Sequence, residues 1–254
     1  MNRTLTNRFP LLRFDNEKWL KEYAKGHIFL RNLLYYQSME EIDAARFDPF
    51  DGALPVSAPN LFTEYQQDSN IEIKHLRLMN PNIFVGCLFS YDMNNVRHTE
   101  CGQTVIHLSD ENVKAAKEFA KDSVLVIFDR VEFERRITEA INRNGVKCLH
   151  HKVFYKDYSD RKAIGVLENE FISGQRAREE IPFIKDIRFR FQQEYRICCE
   201  YQNSIADSLA DEYIKLEREV KEQTRFFEIN SIEDISRIIP FDVFLESLYQ
   251  LLED

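Results

Sequence analysis

Apolar and polar positions alternate with period two over Asn82 to Tyr91, where Ile83, Val85, Cys87 and Phe89 fall on one side, and this spacing predicts a β-strand. Shorter runs predict further strands at His27 to Leu34, Val124 to Phe128, Val146 to Tyr155 and Arg225 to Ile229. Between them the apolar positions recur at helical spacing. Asn16 to Gly26 reads as an opening helix with Asp15 or Asn16 as N-cap, Gly26 as its stop, and Trp19, Leu20 and Tyr23 as its apolar stripe. Asp110 to Lys121, Val131 to Asn144 with Gly145 behind it, Ala163 to Arg178 and Ser204 to Thr224 read the same way. A closing strand and a terminal helix fall within Ile232 to Leu252. Residues 53–82 carry Pro55, Pro59 and Pro81 with little periodicity, so an irregular insertion is expected there. Helices interleaved with strands, without a repeat or a linker, predict one α+β domain over residues 1–254.

One run combines a strand pattern with a concentration of polar groups. In Phe189-Arg190-Phe191-Gln192-Gln193-Glu194-Tyr195-Arg196-Ile197-Cys198-Cys199, an unbroken strand would turn Phe189, Phe191, Tyr195, Ile197 and Cys199 to one face. Gln192, Glu194 and Arg196 would then stand side by side on the other, able to grip a polar ligand and to stabilise a developing positive charge. The plain alternative is a Glu194–Arg196 ion pair on a half-exposed sheet, of little energetic value.

Composition narrows the chemistry around that run. Lys and Arg number 34 against 43 Asp and Glu, which disfavours broad adhesion to a nucleic-acid backbone but leaves room for a local basic groove. No run reaches the roughly 18 apolar residues needed to cross a bilayer, and Met1 to Pro10 lack the apolar core of an export signal, so a cytoplasmic protein without a membrane partner is expected. The five cysteines, odd in number and without a repeated C-x-x-C pair, read as reduced thiols. His150 and His151 are neighbours on opposite strand faces and the other histidines have no partner at helix spacing, so no histidine metal site is expected. No glycine-rich phosphate loop and no nucleophile elbow occurs. Asp48-Pro49-Phe50-Asp51-Gly52 sets two carboxylates on a tight turn, either to hold a cation or to bond the turn's own backbone.

Two resemblances follow from these motifs. The glycine-stopped helix, the strand after it, Asp48-Pro49-Phe50-Asp51-Gly52, Cys87-Leu88-Phe89-Ser90 and Gln192-Gln193-Glu194-Tyr195-Arg196 occur in the order seen in an uncharacterised bacterial domain family marked by Asn-Asp-Pro-Phe-Glu and Glu-x-Glu-Tyr-Arg. Phe47 stands where that family has Asn, Asp51 where it has Glu, and Gln192 where it often has the first Glu. Gln192-x-Glu194 is also similar to the Q/E-x-E signature of ADP-ribosyltransferases. That resemblance implies a split, mainly antiparallel sheet flanked by helices, and NAD as a substrate. It implies that Glu194 stabilises the oxocarbenium-like ribose, that Gln192 orients the acceptor, and that Arg31, Ser90 and Tyr36 hold the dinucleotide. The Ser-Thr-Ser run of many such enzymes is replaced here by Phe89-Ser90-Tyr91. The implied protein is an NAD-dependent transferase or NAD hydrolase, of the kind used as a toxin or an anti-phage effector, with a protein or nucleic-acid acceptor. Two other classes fit the residues: a non-enzymatic binding module using the segment from Ala53 to Pro81, and a metal-dependent nuclease built on Asp48, Asp51 and Glu194.

Overall fold

The computed structural model describes residues 9–37, 51–56, 74–77, 82–91, 96–98, 104–106, 108–201 and 224–250. In chain order these form β1 (Leu11–Asp15), α1 (Glu17–Ala24), β2 (His27–Asn32), α2 (Leu33–Gln37), β3 (Ala53–Val56), β4 (Lys74–Arg77), β5 (Ile83–Ser90), β6 (Val96–His98) and β7 (Thr104–Ile106). There follow α3 (Asp110–Phe119), β8 (Ser123–Ile127), α4 (Arg130–Asn144), β9 (Lys147–Lys152), β10 (Phe154–Lys156), α5 (Arg161–Ile172) and β11 (Ile184–Asp186). The chain continues with β12 (Glu194–Glu200), β13 (Thr224–Glu228), β14 (Ser236–Pro240) and α6 (Phe241–Gln250), and two 3-10 segments, Arg178–Phe183 and Ile187–Gln192, flank β11.

Eight of these strands make one sheet in which every pairing is antiparallel. Its centre is β5. One edge of β5 pairs with β12 from Glu194 opposite Phe89 to Glu200 opposite Ile83. The other edge is shared. β1 takes its end, with Leu11 opposite Ser90 and Leu12 opposite Phe89, and β2 takes its beginning, with Arg31 opposite Val85 and Asn32 opposite Phe84. Among the described residues Gly86, Cys87 and Leu88 therefore have no ladder partner on that side, and the sheet is split there. Within the gap Arg13 on β1 reaches across and donates to the Cys87 carbonyl at 2.7 Å. The fold is α+β, with a mainly antiparallel split sheet flanked by helices.

Strand alternation sorts the core onto two faces. Leu30, Leu88, Tyr195 and Ile197 pack under α1, through Leu20 and Tyr23, and under α4, through Phe133, Ile137 and Ala140. Leu12, Phe89 and Val124 face the other way and pack with Phe244 of α6. The helix ends follow the expected chemistry: Asp129 caps α4 by accepting from the Glu132 amide, and Gly145 closes it in a left-handed conformation. At α3 Ser109 and Asn112 form a reciprocal capping box.

The largest departure from expectation lies at 189–199. Only Glu194 onward is strand. Asp186 accepts from the Arg188 amide and starts a 3-10 turn, Asn112 holds the Phe191 carbonyl at 2.9 Å, and Gln193 adopts a left-handed conformation with φ 43° and ψ 50°. The alternation of Phe189 and Phe191 belongs to that turn, so Gln192 and Glu194 are not strand neighbours. Elsewhere β2 ends at Asn32 and the chain turns helical over Leu33–Gln37, while α5 stops at Ile172, ahead of a left-handed Gly174. Residues 53–82 are not wholly irregular, since β3 and β4 pair there, Ala53 opposite Arg77. The helix expected over Ser204 to Thr224 lies outside the described residues apart from Thr224, which begins β13. Two cysteines read as reduced thiols, Cys148 and Cys199, are directly opposed in the β9–β12 ladder with Cα atoms 4.0 Å apart, and are joined in a disulfide.

Candidate functional site

The split in the sheet opens into a cavity of about 420 Å³, a size suited to a small-molecule site. Both faces of the sheet contribute to its walls. Arg13, Trp19 and Tyr23 come from β1 and α1, and Arg31, Tyr35 and Tyr36 come from β2 and α2. Cys87 lies along the split, and Asp51, Lys185, Gln192, Glu194 and Arg196 line one end together. Trp19 and Phe226, also lining it, are 50% and 54% exposed and give the cavity aromatic groups open to solvent.

The charged end is a network of two acids and two bases. Arg196 opposes Cys87 in the β12–β5 ladder, so both side chains stand on one face of the sheet. Its guanidinium donates to both carboxylate oxygens of Asp51, at 2.6 and 2.7 Å, and through Nε to Glu194 Oε2 at 2.7 Å, and it also bonds the Pro182 carbonyl. Arg196 is 1% exposed. Lys185 donates to Gln192 Oε1 at 2.7 Å and Glu194 Oε1 at 2.6 Å, and stands 3.8 Å from Asp51.

Local structure explains why Asp51 and Glu194 are where they are. Gly52, next to Asp51, has φ +67°, and a Cβ there would collide with the Leu33 side chain, so the turn needs glycine at that position. Glu194 is held through its backbone: its amide donates to the Tyr155 hydroxyl at 2.9 Å and its carbonyl accepts from the Val153 amide at 2.9 Å. The preceding carbonyl of Gln193 accepts from the Ser90 amide at 2.7 Å.

Burial alone would raise the Glu194 carboxyl, but the Arg196 guanidinium and then the Lys185 ammonium outweigh it, and the group titrates well below the ordinary carboxylate range. It is therefore ionised at neutral pH. A folded-state pKa depressed below the ordinary value of 4.5 stabilises the fold above that pH, and this contribution is lost as pH falls through the folded value. Urea unfolding compared at pH 6 and pH 3 is accordingly expected to show a smaller acid loss for Glu194→Gln than for the natural chain. An equal loss in both would contradict the pairing.

Cys87 lines the same cavity, and burial, reinforced by the Glu194 charge, pushes its thiol up to about 12. It is a neutral thiol rather than a nucleophile. Iodoacetamide at pH 8 is expected to label Cys87 far more slowly in the native protein than in urea, as read by peptide mass spectrometry; equal rates would contradict this environment.

Of the residues nominated from sequence, Arg31, Tyr36, Gln192 and Glu194 all line this cavity. The Arg31 guanidinium lies 3.8 Å over the Tyr35 ring, and its buried Nε has no hydrogen-bond partner among the described residues. Ser90 is not among the lining residues; it is 2% exposed and its hydroxyl donates to the Tyr91 carbonyl at 3.3 Å. Asp51, read from the turn motif, joins the network, whereas Asp48 lies outside the described residues. His150 and His151 do face opposite ways, the first bonding the Tyr195 hydroxyl at 2.7 Å and the second stacking on Phe183.

Sequence reasoning missed Lys185 and underrated Arg196. A signal for Lys185 was present, because Lys185-Asp186 interrupts Ile181-Pro182-Phe183-Ile184 and Ile187, and a charge inside an apolar run needs a buried partner. No family model, no curated protein and no solved structure matches this chain.

Proposed function

We propose that the protein binds NAD in the split of its sheet and breaks the bond between nicotinamide and ribose, passing ADP-ribose to a macromolecular acceptor or to water. The observation that carries this reading is the meeting in one cavity of Arg31 and Tyr36 from one part of the chain with Gln192 and Glu194 from another, distant part. When the glycosidic bond breaks, its electron pair leaves with nicotinamide and the ribose takes up positive charge. An ionised Glu194 stabilises that charge, and the acceptor oxygen or nitrogen then adds at the ribose carbon and gives up a proton. Lys185 and Arg196 occupy one position on each carboxylate oxygen, which leaves further lone pairs for a ribose hydroxyl. Arg31 suits a phosphate, for which a guanidinium offers paired donors, and the exposed Trp19 and Phe226 suit a planar base.

Such chemistry fits an effector that depletes NAD or modifies a protein or nucleic acid, as a toxin or an anti-phage protein does. The test is nicotinamide release from NAD by the purified protein, with Glu194→Gln as its control. Absence of both release and calorimetric NAD binding by the natural chain would sink the reading. The closed ion network favours one other reading, a non-enzymatic module, because Glu194 and Asp51 are already engaged on both oxygens. For the nuclease reading the same engagement is unfavourable, since a metal ion would have to displace Arg196 or Lys185.

A further inference from the structure

We infer that Lys185 is a positioning residue of this site: one ammonium group ties Gln192 to Glu194 and decides which atoms of each face the cavity. The inference rests on the NAD reading above and adds to it a residue and a role.

The backbone by itself does not hold the two side chains in register. Gln192 ends a 3-10 segment, Glu194 begins β12, and the left-handed Gln193 between them breaks the alternation that a continuous strand would impose. What joins them is Lys185, carried on the short strand β11, which pairs in parallel with β10. Its Nζ is 2.7 Å from Gln192 Oε1 and 2.6 Å from Glu194 Oε1, and the residue is 2% exposed.

The chemistry of the ammonium then dictates the orientation. An ammonium only donates, so the atom that Gln192 turns towards Lys185 must be its carbonyl oxygen, and the amide nitrogen is directed elsewhere as a donor. Glu194 is pinned at both oxygens, Oε1 by Lys185 and Oε2 by Arg196, and its carboxylate plane cannot rotate without breaking a charge-assisted bond. The Phe189 ring, 4.9 Å from Nζ, backs the ammonium from another side. A carboxylate and an amide locked in this way have the fixed geometry that stabilising a transition state requires.

The charged groups acting on Glu194 are Arg196 and Lys185, with Asp51 behind the two cations, while the Cys87 thiol and the Tyr155 hydroxyl face it as neutral groups whose ionisation its charge opposes. Removing Lys185 takes away one of the two cations that keep Glu194 ionised. The experiment compares Lys185→Met and Lys185→Arg with the natural chain in steady-state nicotinamide release from NAD from about pH 2.5 to pH 9, a range that reaches down to the limb set by Glu194, with melting temperatures recorded alongside. Lys185→Met is expected to lower kcat by about 10- to 100-fold, to leave KM for NAD nearly unchanged, and to move the acid limb of the profile to higher pH. Lys185→Arg, which restores a cation, is expected to return that limb towards its original place. Where Lys185→Met does not fold, Lys185→Gln, which keeps N–H donors without charge, reads the same quantities. A folded variant with unchanged kcat and an unmoved acid limb overturns the assignment of Lys185 while leaving the NAD reading standing. A natural chain that neither binds NAD nor releases nicotinamide overturns that reading, and this inference with it.

Discussion

Arg196→Met is expected to destabilise the protein by about 3–5 kcal/mol, the range for removing one partner of a buried ion pair. The loss has little to do with side-chain size, because Met fills much of the same volume. It comes from the groups left behind: Asp51, 2% exposed, loses both of its bonds to Arg196 and keeps Lys185 at 3.8 Å, and Glu194 loses the bond on Oε2. The Pro182 carbonyl loses a donor as well. For a chain of this length such a change corresponds to a fall in melting temperature of roughly 6–20 °C. Urea titration and thermal melting both measure it. A change below about 1 kcal/mol would mean that the network is looser than its distances indicate.

On the NAD reading proposed above, Glu194→Gln is expected to reduce nicotinamide release from NAD by about 100- to 1000-fold, the cost of losing one group aimed at developing charge. Binding of NAD should weaken far less. The ground-state nicotinamide ribose does not carry the full positive charge that the carboxylate meets as the bond breaks, and only the differential interaction enters kcat. Calorimetry on the variant separates the two quantities, and its melting curve separates both from unfolding, since Glu194→Gln also removes a negative charge that Lys185 and Arg196 share. Retention of full activity by a folded Glu194→Gln protein would remove Glu194 from the chemistry altogether.

The parts of the fold that were legible in the sequence are those set by local pattern. The strand at 83–90 showed its period directly, the helix at 130–144 showed its stop at Gly145, and α1 showed its stop at Gly26. Trp19 illustrates the limit, for it sits at helical spacing with Leu20 and Tyr23 yet is half exposed, because helical spacing alone does not fix which edge of a stripe reaches solvent. The site was legible by half. Gln192-x-Glu194 stood out as a concentration of polar groups in a strand-like run, but its geometry was misread, since Phe189 and Phe191 alone are too few apolar positions to tell a 3-10 turn from a strand. Asp51 was visible as a turn residue, and nothing local shows that it meets an arginine 145 residues later. Burial, which turns a weak surface pair into a costly internal one, is a property of the assembled sheet.

The left-handed residue between Gln192 and Glu194 changes what the three-letter pattern means. Its middle position, which a motif writes as any residue, is selected by the backbone. Gln193 occupies a conformation that glycine and asparagine enter readily and β-branched residues resist, so valine or isoleucine is barred there by sterics rather than by chemistry. A search for similar sites that requires two polar ends joined by a residue tolerant of positive φ would therefore discriminate better than the spacing alone.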